Sequence, residues 1–401
     1  MKTYCKNVDI TDRDLIKRAT YNCFEGKYVR KDTLKLLSQY SNNNLGSKSI
    51  KNMIKKDGKY TIYPIMENII DGLRSELIAR KLVLRPIEYK EKIDGSCLKI
   101  RTIGIQDIKQ QIYDYIAIEG LTPMLKRIGE YQYASIKGRG PVKGAKVIQR
   151  WLRNKNIKYA GKADVQKCYE NISRENMMRF LRKYVKNDLL LWLIDELLIT
   201  FEHGLSIGSY LSQFLCNLYM SQLYHEISEN MYRIRKHKDG TNERINLVDH
   251  VIFFMDDILI LGTNSKDLHK AMKLIIKYAK DEMGLIIKAS WTVFKTKLKD
   301  RKNDSGQFID MMGFRMYRWH TTIRRRVFKR IRRAYMKALK VIKMHKSISL
   351  KVARKCVSYY GRIKHTNSFK FKRRYKVYDI MKYCKEAISN ESKIRCKTDT
   401  Y

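Results

Sequence analysis

In the stretch VIFFMDDILIL (251 to 261), Asp256 and Asp257 stand side by side within one of the most apolar runs of the chain. Taking an unpaired carboxylate out of water costs on the order of several kcal/mol, or shifts its pKa until it is neutral. No basic residue is close in sequence, so positive charge must reach this pair from elsewhere. A third acid, Asp164, ends a short apolar run in KYAGKADVQKCYENIS (158 to 173). By itself it reads as a turn or helix cap. Joined to the pair, it completes a carboxylate set suited to phosphoryl transfer with two Mg²⁺ ions ~3.5–4 Å apart. Such a set must come from separate strands, because one side chain cannot fill two octahedral shells. The runs VIFFM and ILIL then read as two buried strands that hold a hairpin tip in place.

Composition points to the partner. Lys and Arg number 84 against 40 Asp and Glu, a formal net charge of +44. An excess of that size is the electrostatic footprint of a phosphate-binding protein, with nucleic acid the leading partner. With 44% hydrophobic and 11% aromatic residues, the 401-residue chain is not disordered and can bury a sizeable core. An anionic membrane surface is the competing partner. No apolar run of ~18 residues and no signal peptide at MKTYCKNVDITDRD supports it, so a cytoplasmic protein without membrane contact is expected. The cysteines are dispersed, with no C-x-x-C pair and no Cys/His cluster at zinc-ligand spacing. Reduced thiols and no structural zinc are expected.

Several elements must position the acids. Residues 1 to 82 carry a loop at SNNNLGSKS and a helix-like stretch at MENIIDGLRSELIARKL, and say little about function. In VLRPIEYKEKIDGSCLKIRTIGI (83 to 105), two β-prone runs meet at Asp94-Gly95, a strong hairpin signal. Alternation puts Lys99 and Arg101 on one face, where Lys90 and Lys92 of the other arm can join them. Such an arm either keeps a sheet edge soluble or grips phosphates. In SIKGRGPVKGAKVIQRWL (135 to 152), Gly138, Gly140 and Gly144 alternate with Lys137, Arg139 and Lys143. This is not a P-loop, since no Ser or Thr follows the lysine in place, but backbone amides and cations there suit a nucleic-acid backbone.

The segment HGLSIGSYLSQFLCNLYMSQLYHEI (203 to 227) opens a helix at Gly204 and Gly208. Leu211, Leu215, Leu218 and Tyr219 mark its core face. Glycine at the leading turn lets backbone approach a flat ligand such as a base pair, which Ser212, Gln213 and Asn217 would then face. Towards the C-terminus, Met311 to Tyr378 contains 23 Lys and Arg and no Asp or Glu. Solvated faces mix signs, so a one-sign run of this length predicts a phosphate-binding surface. Within RRRVFKRIRRAYMKALKVIK (324 to 343), Val327, Ile331, Ala334, Ala338 and Val341 recur at helical spacing. The rest of that helix, including Arg324, Arg325, Arg326, Lys329, Arg330 and Arg333, is expected to form a continuous cationic surface that tracks a nucleic-acid backbone through its phosphates.

Three motifs, in order, carry a resemblance: A-D-V-x-x-C-Y (163 to 169), I-G-S-Y-L-S-Q (207 to 213) and F-M-D-D (254 to 257). Together they resemble the palm of reverse transcriptases. That family shows an aspartate with an aromatic five residues on, then a Q-G-x-x-x-S-P-type turn, then an aromatic-x-D-D hairpin. Ile207 stands where most relatives carry glutamine and Gln213 where most carry proline. This substituted form is similar to the reverse transcriptases of diversity-generating retroelements. GQFIDMMGFRMYRWHTTIRRRVFKRIRRAYMKA (306 to 338) and SYYGRIKHTNSFKF (358 to 371) resemble that subfamily's segment after the palm and its thumb.

The resemblance implies an α+β right-hand polymerase, its antiparallel palm sheet backed by helices and its thumb helical. The expected parts are an N-terminal helical extension (1–82), fingers (83–157 with part of 174–203), palm (158–318), and a basic helical thumb and tail (319–401). It assigns Asp164, Asp256 and Asp257 to two Mg²⁺ ions, with Mn²⁺ as a substitute, and gives Val165 a backbone-carbonyl ligand role. Tyr169 would stack below the incoming sugar and reject a ribose 2′-hydroxyl. Lys99, Arg101 and Lys92 match the residues that neutralise the triphosphate, and Lys288 lies near a lysine that relatives place by the leaving group. Ile207, Gly208 and Gln213 fall at the nucleotide turn. Implied partners are an RNA template, a DNA or RNA primer, dNTPs and a small basic oligomeric accessory protein. The implied activity is RNA-directed DNA synthesis, inaccurate opposite template adenine. Alternatives are a group II intron, retron or defence-associated reverse transcriptase, or a non-catalytic RNA-binding protein. Little chain follows the thumb to supply a group II intron's DNA-binding and endonuclease parts.

Overall fold

The computed structural model describes residues 2–93, 100–297 and 305–398, with side chains as far as residue 391. Two compact units interleave in sequence. One comprises residues 1–130, 165–225 and 276–287, the other 131–164, 226–275 and 288–401. Both helices and sheets contribute, giving an α+β chain.

The first unit is largely helical. Helix Arg13–Phe24 starts at Asp12, whose carboxylate accepts the Asp14 N–H at 3.1 Å. It buries Leu15, Ile16, Ala19, Cys23 and Phe24, an i, i+3/i+4 face, and packs against helix Ile108–Gly120. The latter begins at Asp107, which caps the Gln110 N–H at 2.9 Å. Arg13 also pairs with Glu67 and Asp71 of helix Tyr63–Ile78, each at 2.8 Å. The N-terminal extension is therefore packed into the first unit. Strands β1 (Glu88–Ile93) and β2 (Ile100–Ile105) pair antiparallel as a two-stranded sheet of their own. Lys92 sits directly opposite Arg101, so the two side chains share a face. The expected turn at Asp94-Gly95, and Lys99, lie outside the described residues.

In the second unit a five-stranded sheet runs in the order β3 (Gln132–Tyr133), β7 (His250–Phe254), β8 (Asp257–Gly262), β4 (Tyr159–Asp164), β9 (Thr292–Lys295). All neighbours are antiparallel except β3 and β7. Strand β8 buries every residue from Ile258 to Leu261, as an apolar run covered on both faces should. Ile252, Leu259 and Leu261 pack with Ile148, Trp151 and Leu152 of helix Pro141–Arg153 and with Phe314 and Met316. At ~1.5–3 kcal/mol for each large side chain fully buried, this layer fixes where the strands end.

A second hairpin, β5 (Tyr232–Lys236) with β6 (Asn242–Asn246), precedes β7; it is absent from the sequence expectations. Beyond the central sheet come the three-stranded meander β10 (Ile309–Met311), β11 (Phe314–Met316), β12 (Thr321–Ile323) and the C-terminal helices. Helix Arg325–His345 buries Ile331, Ala334 and Ala338 as its periodicity predicts, while Val327 and Val341 are only half-buried. Tyr335 is fully buried instead, its hydroxyl donating to the Cys356 carbonyl at 3.0 Å. Cys5, Cys23, Cys168, Cys216, Cys356 and Cys384 are free thiols, all buried.

Candidate active site

The register of the central sheet brings the acids of the second unit together. Asp164, last residue of β4, lies directly opposite Asp257, first residue of β8, and Asp256 occupies the turn between β7 and β8. Met255 in that turn has φ +58°, a left-handed conformation costing a non-glycine residue ~1 kcal/mol or more. The buried strands on either side hold it there.

Two lysines meet the carboxylates. Lys288 Nζ donates to Asp164 Oδ2, and the Lys288 N–H donates to the Asp164 carbonyl at 2.9 Å. Lys162 Nζ lies 3.9 Å from Asp257 Oδ1 and donates to the Asp310 carbonyl at 2.9 Å. Lys162 stands two residues before Asp164, so strand alternation puts both on one face. That period was the signal by which it was legible, and the sequence expectations pass over it. Arg324, expected on the cationic thumb face, stands at the N-cap position of helix Arg325–His345 and donates to Asp310 Oδ1 at 2.6 Å.

Charge remains under-compensated. Burial, reinforced by Asp164 and Asp257, pushes the Asp256 carboxyl up to about 6. Asp257 is also raised, chiefly by burial, against the lowering effect of Lys162. Asp164 Oδ1 is buried with no hydrogen-bond donor turned to it. An all-oxygen donor set with an orphaned carboxylate oxygen suits a hard divalent cation such as Mg²⁺. Among the described residues no three acidic, His or Cys side chains converge as a finished metal cage.

Further expected site residues belong to the first unit. Arg101 is exposed on β2. Val165 is buried, and bridges to Ile287 in the antiparallel sense. The Tyr169 carbonyl accepts the Leu205 N–H at 2.8 Å, which draws the loop before the 206–209 turn onto the segment carrying Tyr169. Gly204 makes that approach possible. Its φ is +51°, and a Cβ there would lie 2.3 Å from the Glu170 carbonyl oxygen and 2.6 Å from that of Tyr169. Gly204→Ala is accordingly expected to lower stability by about 2 kcal/mol or more, read as a drop in thermal midpoint. An unchanged melt would show that the loop relaxes freely.

Ile207 is half-exposed, and its carbonyl accepts the Gly104 N–H at 2.8 Å. Of the three polar residues after the turn, Ser212 and Asn217 are buried and only Gln213 is partly exposed. In the second unit, Arg139 folds back to donate to the Gln132 carbonyl at 3.4 Å, whereas a Cβ on Gly138 or Gly140 would meet nothing within 4 Å. Arg325, Arg326, Lys329 and Arg333 are exposed, and Arg330 is half-exposed.

Acids at adjoining strand ends, lysines against them and a +44 chain around them define a nucleotidyl-transfer enzyme that works on nucleic acid. The chain belongs to the family described as reverse transcriptase (RNA-dependent DNA polymerase), whose model matches residues 90–316. It is therefore an RNA-directed DNA polymerase with the fingers, palm and thumb of that family. Its substrates are an RNA template, a primer and nucleotides, and enzymes of this family use divalent metal, usually Mg²⁺. No individual curated protein matches the chain. Among the described residues, no helix is long and apolar enough to cross a membrane.

Proposed function

We propose that this chain is the reverse transcriptase of a diversity-generating retroelement, which copies an RNA template into cDNA inaccurately opposite adenine. The observation that carries this reading is the Ile207–Gly208 turn. An isoleucine cannot hydrogen-bond to a sugar or a templating pair; it only fills space, so mismatched geometry meets less penalty than a glutamine would impose. In this reading 83–157 with part of 174–203 form the fingers, 158–318 the palm and 319–401 the thumb, and a small basic oligomeric protein assists.

Asp164, Asp256 and Asp257, with the Val165 carbonyl, would hold two Mg²⁺ ions. When bound, such ions lower the proton affinity of the primer 3′-hydroxyl and screen the departing pyrophosphate. The residues of the chain supply position. Lys288 shifts from Asp164 towards the phosphate charge as the nucleotide arrives. Arg101 and Lys92, sharing one face, grip the triphosphate, with Lys99 beside them. Tyr169 lies under the sugar and disfavours a 2′-hydroxyl. The 3′-hydroxyl, releasing its proton to water, then attacks the α-phosphorus in line, one phosphodiester bond forms, and the bond to pyrophosphate breaks.

Primer extension on poly(rA)/oligo(dT) with dTTP tests the activity, and sequencing of cDNA from a mixed template tests the subtype. Wild-type product should carry errors concentrated opposite adenine, and Ile207→Gln should lower that error rate about tenfold. An unchanged error spectrum in the variant counts against the retroelement reading and leaves a more faithful bacterial reverse transcriptase in its place.

A further inference from the structure

The turn and strand β2 share a buried acid that the reaction as described does not use. Asp114, on helix Ile108–Gly120, is 0% exposed. Its Oδ2 accepts the Ser209 hydroxyl at 2.8 Å and the Leu211 N–H at 3.3 Å. Its Oδ1 accepts Gln106 Nε2 at 3.2 Å, one residue beyond the end of β2. Ser209 Oγ in turn accepts the Ser212 N–H at 3.1 Å, in the first turn of helix Tyr210–His225. One carboxylate thus holds both the end of a strand and a turn far from it in sequence.

Strand and turn also touch directly, with no slack. Besides the bond from Gly104 to Ile207, a Cβ on Gly104 would lie 2.1 Å from Ser206 Oγ. A Cβ on Gly208, whose φ is +120°, would lie 2.4 Å from the Gly104 carbonyl oxygen. A neutral Ser or Asn would cap the following helix at less desolvation cost than a fully buried carboxylate. Burial in fact pushes the Asp114 carboxyl up to about 6 despite its donors. Capping alone does not account for an acid here; linking three segments does.

We infer that Asp114 is a positioning residue for nucleotide selection, tying the Ile207–Gly208 turn to strand β2 so that Ile207 and Arg101 are placed as one piece. The inference rests on the proposed reading of that turn and of Arg101 as nucleotide contacts. Its consequence is kinetic. Cutting the tie loosens nucleotide binding and selection while leaving the acids of the second unit untouched.

Single-nucleotide insertion opposite template rA, with active-site titration, compares wild type with Asp114→Ala, Asp114→Asn, Ser209→Ala and Ile207→Gln. Asp114→Ala should raise KM for dTTP about tenfold, leave kcat per active site within about threefold, and alter the ratio of correct to mismatched insertion. Asp114→Asn should recover to within about threefold of wild type, because an asparagine oxygen can still accept from Ser209 and Leu211. Its amide would then donate to Gln106 Oε1, which is buried without a partner and needs only an amide flip to accept.

A mere structural cap would lower the active fraction and leave KM alone, and that result overturns the inference. Should Asp114→Ala fail to fold, Ser209→Ala, which removes one link and spares the others, is read by the same criterion. If Ile207→Gln shifts selection while Asp114→Ala or Ser209→Ala does not, the tie is refuted and the turn's role stands. If none of the variants shifts KM or selection, the turn is not a nucleotide contact and both readings fall.

Discussion

Asp256→Asn should abolish primer extension, lowering the rate at least about a thousandfold, and yet give a protein that melts higher than the wild type in the absence of divalent metal. The two effects have one cause. Asp256 sits in an apolar hairpin beside two further acids, and its carboxyl is raised to about 6, first by burial and then by Asp164 and Asp257. The sign follows from proton counting. Between about pH 4 and 6 the folded chain keeps a proton on Asp256 that the unfolded chain has released, so stability falls as pH rises through that window. Asparagine cannot ionise and escapes the loss. A tenfold change in proton affinity corresponds to ~1.4 kcal/mol; allowing for partial exposure, the relief at neutral pH is on the order of 1–2 kcal/mol. Metal-free melts at pH 7.5 should favour the variant, and the gap should narrow below pH 6 and close only towards about pH 4. Residual synthesis by the variant would move the chemistry elsewhere, and a lower melt at pH 7.5 would mean the lysines already neutralise the pair.

Why the acids could be found from the sequence, and their surroundings only partly, comes down to range. VIFFMDDILIL announces itself because two charges interrupt a period that otherwise reads as buried strand, and β7 and β8 form there. Asp164 was legible through its strand-end position and its distance to Tyr169. Ion pairing is not local in sequence. Lys288 reaches Asp164 across 124 positions, and Arg324 turns to Asp310 although the basic run around it suggested a uniform face. Asp114 offered a faint signal, one acid within the apolar stretch IYDYIAI, but which donors satisfy it depends on tertiary packing. Tyr335 joins the core beside the aliphatic stripe that periodicity marks, because one hydroxyl-to-carbonyl bond lets a tyrosine be fully buried. The β5–β6 hairpin carries the same Asp-Gly turn signal, Asp239-Gly240, as the expected fingers hairpin. Its mixed charges made that signal easy to pass over.

Replacing Arg325, Arg326, Lys329 and Arg333 together by alanine should weaken primer–template binding about a hundred- to a thousandfold at ~0.15 M salt. All four are exposed on helix Arg325–His345, which contains no Asp or Glu along its length. The buried stripe of Ile331, Ala334, Tyr335 and Ala338 is left intact, so the helix has no reason to detach from its core. Each phosphate contact releases roughly 0.7–0.9 counterion, so four lost contacts should flatten the slope of log affinity against log salt by about 3. The loss should be nearly equal on templates of different sequence, because contacts to phosphate carry register and not base identity. Arg324 serves as the control: held by Asp310, its replacement should disturb local stability more than the salt slope. Filter binding over a salt series reads both quantities. A slope unchanged in the quadruple variant would place the duplex on another surface, whereas a loss confined to one template sequence would mean that these side chains reach bases.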